Sequence, residues 1–264
     1  MDFKKFYDEQ SDYAAFRNDP AKREEYNIIV DWKVNQLIKL IPDSIIFDNI
    51  LEIGCAMGIL LNKIASRLSI RSTFGLDISA ENIKVAKELY PDTIFFQGTI
   101  EDLAVIIPGE ISFSGFHLVV LSDIVEHIPD DVKFMKMVKG IASFVLINLP
   151  LEKCFKNRNR QYGENDPSGH LRSYDKEMAL KLISMAGFDI IRSFTTNAFN
   201  DKVYFNQYRK KRRARIKTKP LHLRVFWTLY YNTEDQIKLI SKRLYEKIYG
   251  TNYFALLKSK SGNN

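Results

Sequence analysis

A chain of 264 residues suits one large domain, or one domain with a generous insertion. Hydrophobic residues at 45% supply a sizeable core and exclude wholesale disorder. The two cysteines, Cys55 and Cys154, stand at no metal-ligand spacing, which points to a reducing compartment and away from a disulfide framework or a zinc site. No metal is expected. The net charge of +7 is uneven: thirteen Lys and Arg against three acids between Phe205 and Tyr249 give that segment +10 and leave the rest at −3. An anionic partner is therefore to be sought in that segment. The first ten residues are too acidic, and lack the apolar core, for a signal peptide. No apolar run reaches the length of a membrane span, so the sequence reads as a soluble cytoplasmic protein.

Residues 1–44 read as a helical cap. Phe3, Phe6 and Tyr7 open an amphipathic stretch that Tyr13 and Phe16 continue. A second helix over about 24–40 carries Ile28, Ile29, Trp32, Leu37 and Leu40 at helical spacing, and Pro42 ends it. The apolar run from Ile50 to Ile53 predicts a buried strand. It is followed by a turn with Gly54 and Gly58 and then by a helix bearing Ile59, Leu60, Ile64 and Leu68. Such a turn admits a ligand against backbone that carries no Cβ and aims free N–H groups from the helix start. Strands are predicted at 73–78, 93–98, 116–123 and 143–148, with helices after those at 73–78 and 116–123. Residues 151–174 form a long polar loop. A helix over 176–185 and a strand over 189–194 follow.

Residues 198–250 break the alternation. They hold the basic run from Arg209 to Arg213, an aromatic stretch from Phe226 to Tyr231, and a helix predicted over 234–248. A last strand over 252–258 returns to the sheet. The organisation expected is a core of 45–197 with 251–260, and a basic helical insertion at 198–250 that caps the substrate. Strands alternating with helices imply an α/β, Rossmann-like, seven-stranded and mostly parallel sheet with helices on both faces. Ligands of such sheets sit beyond the carboxyl ends of the strands. Glu52, Gly54, Asp77, Thr99, Ile100, Glu101, Ser122 and Asp123 all fall there.

The turn is not the G-x-G-x-x-G dinucleotide fingerprint, and no Gly-Lys-Ser/Thr follows for a phosphate loop. With Glu52, Gly54, Ala56 and Gly58 it resembles the first motif of the class I S-adenosylmethionine-dependent methyltransferases, acid-x-Gly-x-Gly-x-Gly, with Ala56 at the middle glycine. The small-molecule branch related to ubiquinone-biosynthesis methyltransferases is the most similar. Asp77 matches the acid that binds the ribose hydroxyls, Glu101 and Asp102 the polar residues near the adenine, and Phe116 to Ile128 the fourth motif with its Glu-His-Ile ending. Gly169-His170-Leu171-Arg172 and Ala186-Gly187-Phe188 extend the match. The resemblance implies S-adenosyl-L-methionine as cofactor, held by Glu52, Gly54, Cys55, Ala56, Gly58, Asp77, Ile78, Thr99, Ile100, Glu101, Ser122 and Asp123.

Acids around the site suit a cationic sulfonium, and a carboxylate suits a ribose diol. His127, just past the fourth strand, is placed to act as general base for a hydroxyl substrate; a structural His bonding a loop is the competing reading. His170, Arg172 and Tyr174 lie in the loop expected to overhang the substrate, with His170 the second candidate for a catalytic general base. Tyr7 and Tyr13 resemble a tyrosine-rich lid, with simple helix packing as the alternative. The reading that follows is a methyltransferase acting on a small molecule or an anionic, carrier-linked intermediate. O-methylation of a sugar or phosphorylated precursor in polysaccharide biosynthesis is expected, with a peripheral membrane contact through the basic insertion. An RNA methyltransferase is the alternative, ranked lower because no Asn-Pro-Pro-Tyr-like tetrapeptide follows the fourth strand. A non-catalytic scaffold that binds the cofactor is another.

Overall fold

The computed structural model describes residues 3–10, 12–103 and 115–260. A short helix α1 (Phe3–Lys5) runs into a π-helical turn (Phe6–Gln10), followed by α2 (Asp12–Asn18) and α3 (Pro20–Ile38). The third helix begins earlier than its apolar periodicity suggests. Asp19 accepts from the Ala21 amide at 2.9 Å, and Pro20 sits at the first helical position, where its fixed φ is already helical and its missing N–H costs nothing.

Then come β1 (Asn49–Ile53), α4 (Ile59–Leu68), β2 (Ser72–Asp77), α5 (Ala80–Leu89), β3 (Ile94–Gln97), β4 (Phe116–Ser122), α6 (Asp131–Ile141), β5 (Ala142–Leu151), α7 (Lys176–Ala186) and β6 (Phe188–Thr196). Three helices, α8 (Lys202–Lys217), α9 (Leu221–Ile240) and α10 (Lys242–Tyr249), precede β7 (Thr251–Ser259). The aromatic stretch 226–231 lies inside α9. The helix expected over 234–248 is two helices, because Ser241 is extended and its hydroxyl caps the Leu244 amide at 3.2 Å.

The seven strands form one sheet in the order β3-β2-β1-β4-β5-β7-β6. Strands β1 to β5 pair in parallel, and β7 runs antiparallel between β5 and β6. The alternating pleat divides the core between two faces. Leu51, Ile53, Val119, Leu121, Val145 and Ile147 point to one, under α6 and α7. Ile50, Leu118, Val120 and Leu146 point to the other, under α3 and α4. The strand order reverses between β1 and β4, and the crevice beyond their carboxyl ends is where an open α/β sheet takes a ligand.

Candidate functional site

The turn after β1 is built for close approach. Gly54 and Gly58 adopt φ of 75° and 72°, and Ala56 adopts 47°. A Cβ on Gly54 would come within 2.9 Å of Ile124 Cδ1, and one on Gly58 within 2.6 Å of the Phe95 ring. Asp77, at the end of β2, fastens the turn. Its Oδ2 accepts from the Ala56 amide at 2.8 Å, and its Oδ1 from the Ser79 amide at 2.9 Å and from Asn82 Nδ2 at 3.3 Å. Burial raises the Asp77 pKa, against the pull of these donors.

A cavity of about 580 Å³ lies over the strand ends. Gly54, Ala56, Asp77, Ile78, Thr99, Ile100, Glu101, Asp123, His127 and His170, all expected at the site, line it together. Tyr7, Tyr13, Phe3, Phe6 and Phe16 of the N-terminal helices line it as well. That segment is tied to the β2 end. Arg17 donates to Asn82 Oδ1 at 2.6 Å, and the Asp8 carboxylate accepts from Ser79 Oγ at 2.5 Å.

Other expected residues lie elsewhere. Glu52 is buried behind the turn, outside the cavity lining, and its Oε2 accepts from the Leu61 amide in the first turn of α4 at 3.0 Å. This satisfies one of the helix's open donors, and burial raises the Glu52 pKa well above the usual range. Cys55 is buried against Gly75, and its thiol pKa is likewise raised by burial. Gly58 faces Phe95, and Ser122 Oγ takes Asn148 Nδ2 at 3.1 Å. Arg172 pairs with Asp131 at 2.9 Å and donates to the Pro129 carbonyl, while the Tyr174 hydroxyl donates to Asp131 at 2.5 Å. None of these five lines the cavity; Arg172 and Tyr174 brace the loop against α6.

The residues that follow β4 give the cavity a polar lining. Asp123 adopts φ of 53°, a conformation unusual outside glycine, asparagine and aspartate. It is held there by Asn148 Nδ2 on its Oδ1 at 3.1 Å and by an ion pair with Lys33. Burial works against the Lys33 charge, but Asp123, with Tyr13 and Glu126 nearby, outweighs it and keeps the Lys33 pKa above its usual value. His127 is buried, with Nδ1 at 2.9 Å from both the Gly169 carbonyl and the Tyr7 hydroxyl. A carbonyl only accepts, so Nδ1 carries the proton and Nε2 holds the lone pair. Burial, with His170 alongside, lowers the His127 pKa to about 4. The His170 ring meets it edge to face, with centroids 4.7 Å apart. His170 Nδ1 lies 2.6 Å from Glu152 Oε2, and Arg160 holds the other Glu152 oxygen at 2.8 Å.

Lys33, Asn82, Glu126 and Glu152 were not among the residues expected from the sequence. Lys33 reaches the site from α3, ninety positions from its partner Asp123, and no local pattern marks it. Glu126 did carry a signal, a lone acid among Ile124, Val125 and Ile128, since an acid in an apolar run is solvated or has a purpose.

Residues 51–143 match the family model described as a methyltransferase domain. No curated protein matches the sequence. Among solved structures, the chain is similar to the magnesium protoporphyrin IX methyltransferase of Synechocystis PCC 6803 with bound SAH (TM-score 0.57, 12% identity, 98% of each chain). It is also similar to a SAM-dependent methyltransferase from Archaeoglobus fulgidus (TM-score 0.55, 15% identity, 88% of this chain and 94% of that chain). A third is phosphoethanolamine N-methyltransferase 2 of Haemonchus contortus in complex with phosphomonomethylethanolamine and S-adenosylhomocysteine (TM-score 0.56, 13% identity, 86% of this chain). This chain spans about half, 53%, of the Haemonchus protein. At these identities the likeness is one of fold.

Proposed function

Because this chain carries a class I, S-adenosylmethionine-dependent methyltransferase domain, we propose that it methylates a hydroxyl oxygen of a small molecule or carrier-linked intermediate, of the sugar or phosphorylated-precursor kind. The observation that carries this reading is one cavity lined both by Asp77 with the glycine turn and by a neutral His127 whose Nδ1–H is engaged by the Gly169 carbonyl.

The residues fit such a donor. The turn backbone is bare where a Cβ on Gly54 would intrude on Ile124. The lining acids Asp77, Glu101, Asp123 and Glu126 outnumber its one Lys or Arg, Lys33, which is already paired. That balance suits a cation over a phosphate-rich ligand. When bound, the cofactor supplies an electrophilic methyl on a sulfonium. Asp77 would take a ribose hydroxyl, and Thr99 to Glu101 would face the base. Tyr7 and Tyr13, over the cavity, would exclude water. His127 would accept the acceptor's hydroxyl proton at Nε2, its Nδ1–H being held by the Gly169 carbonyl. Its low pKa keeps it unprotonated at neutral pH, the state a general base needs.

The acceptor class is drawn from the basic insertion. Arg213, Arg215 and Lys217 are exposed on α8, and α9 exposes Leu221, Val225, Phe226 and Leu229 beside them. Apolar residues next to basic ones suit an anionic headgroup surface. The reading is therefore of a cytoplasmic enzyme in peripheral contact with a membrane that carries its anionic, carrier-linked acceptor. No helix among the described residues is long and apolar enough to cross a membrane.

The test is transfer of labelled methyl from S-adenosylmethionine to a panel of sugars, sugar phosphates and lipid-linked sugars. Label recovered as an alkali-stable ether, with kcat reduced about 10²- to 10⁴-fold in His127→Ala, is expected. Absence of labelling across the panel, or full turnover in both His127→Ala and His170→Ala on a true acceptor, would overturn the reading.

A further inference from the structure

Phe155 is 61% exposed, in the same loop that carries Gly169 and His170. Exposed Lys153, Lys156 and Arg158 surround it in sequence, and the Arg158 guanidinium lies 4.0 Å over its ring. The backbone there pairs with the insertion. Phe155 and Lys156 donate their amides to the Lys247 and Ile248 carbonyls at the end of α10, at 3.0 Å and 2.8 Å. Lys156 Nζ also stands 5.5 Å over the Tyr249 ring, and the Tyr249 hydroxyl is hydrogen-bonded to Tyr230 on α9. A continuous path therefore runs from the loop, through the last turn of α10, to the first half of α9.

The sequence along that path has one sign of charge and an apolar stripe. No acid occurs from Lys153 to Gly163, or from Lys202 to Thr233. Leu221, Val225 and Leu229, each more than half exposed, recur every four residues and so share one side of α9. Aliphatic side chains give a nucleobase nothing to stack on, and the like charges oppose pairing with a second copy. An anionic lipid surface satisfies both features, with acyl chains for the stripe and headgroups for the cations.

The loop can transmit position because it is braced internally. Arg160 holds Glu152 at 2.8 Å and Asp166 at 2.6 Å and 2.7 Å. Glu152 in turn lies 2.6 Å from His170 Nδ1, and the Gly163 amide donates to the His170 carbonyl at 2.9 Å. The Gly169 carbonyl engages His127 at 2.9 Å. Phe155 and Lys156 on the outside, and His170 and His127 on the inside, are thus joined through one set of contacts. A loop this long is ordered at an entropic cost, and anchoring its outer part lowers the share left to acceptor binding.

We infer that residues 153–158 and the first half of α9 form one docking surface for an anionic lipid bilayer, and that docking orders the 151–174 loop, whose Pro167, Ser168 and His170 line the cavity. The membrane then activates the enzyme as well as carrying its substrate. The inference deepens the proposed function and rests on it only for a membrane-borne acceptor; docking and loop ordering are measurable with no acceptor present.

The experiment is sedimentation of the full-length protein with phosphatidylcholine vesicles, with and without about one third phosphatidylglycerol, followed by hydrogen–deuterium exchange of the bound protein. Half-buried Trp227 reports the contact by a blue-shifted emission, since the other tryptophan, Trp32, is buried. Binding at least about tenfold tighter to the anionic vesicles is expected, weakening as salt rises. Amide exchange should slow over 221–233 and over 153–171 together. Leu229→Asp should weaken binding about tenfold or more. Phe155→Ser should release the protection of the loop while α9 stays protected. Thermal unfolding verifies the fold of each variant, and Val225→Asp serves if Leu229→Asp does not fold. On a soluble acceptor that accepts methyl, anionic vesicles should raise kcat/KM about 3- to 10-fold in the wild type and not in Phe155→Ser. Equal binding to neutral and anionic vesicles, wild-type binding by folded Leu229→Asp, or protection confined to α9 overturns the inference. So does tighter retention by a single-stranded RNA oligonucleotide than by the vesicles. Methyl transfer indifferent to vesicles overturns the inference and leaves the transfer reaction standing. Vesicle binding with loop protection, in a protein that methylates no acceptor, supports the docking surface and counts against the proposed function.

Discussion

Replacing Asp77 with Asn separates two jobs that one carboxylate does. A carboxylate has about four acceptor positions on its two oxygens. The Ala56 amide, the Ser79 amide and Asn82 Nδ2 occupy three of them, so one remains, on Oδ2, for a ribose hydroxyl. A hydrogen bond to a charged group contributes about 1.5–3 kcal/mol, equivalent to about a 10- to 150-fold change in Kd. Asparagine keeps one oxygen and replaces the other with a donor, which must then face a backbone N–H. Leaving that buried N–H unsatisfied costs about 1–3 kcal/mol of stability. Asp77→Asn should therefore stay folded with a lowered Tm and bind S-adenosylhomocysteine about 10- to 150-fold more weakly by calorimetry. A folded Asp77→Asn variant with a Kd within twofold of wild type would refute the ribose contact. A weakened Kd with unchanged Tm would refute the role assigned to Asp77 in fastening the turn.

Gly58→Ala places a methyl 2.6 Å from the Phe95 ring on backbone at φ of 72°, so overpacking and left-handed strain together should lower stability by about 2–4 kcal/mol in urea unfolding. Arg212→Met should cost about 3–5 kcal/mol, because it leaves Glu234, 4% exposed, without the guanidinium at 2.9 Å; limited proteolysis should then cut within 202–249 before the sheet. Burial raises the Asp166 carboxyl, but the Arg160 bonds and the Ser168 and His170 amides outweigh it and hold its pKa below the usual value. A depressed carboxylate lends stability that is full above its unfolded pKa of about 3.9 and is lost as pH falls through the folded one. Thermal unfolding from pH 6 to pH 2 should show that acid loss in the wild type, and a smaller loss in Arg160→Met.

Much of the architecture is legible along the chain because its signals are local. Apolar runs of strand length, punctuated by Gly54, Pro91 and Pro129 and alternating with helical periodicity, require a parallel sheet. The acids and glycines at successive strand ends then mark the edge where the site lies. The helix expected over 234–248 fails for an equally local reason: Ser241 caps a new helix, but apolar periodicity continues across the break. Glu52 and Asp77 show where such reading stops. Both are acids at strand ends, yet the pleat and the path of the turn bury Glu52 behind α4 and aim Asp77 into the cavity.

The sequence by itself determines the order of strands and helices, the methyltransferase motifs and the edge of the sheet that carries the site, since each depends on neighbours within a few residues. Tertiary structure alone decides which polar groups meet. Lys33 finds Asp123, and His170 finds Glu126 and His127, across separations of ninety and about forty residues. Such contacts leave no periodic trace in the chain, because they depend on how a helix packs and where a loop folds back. The same packing removes water from Glu126 and His127, and burial sets their protonation.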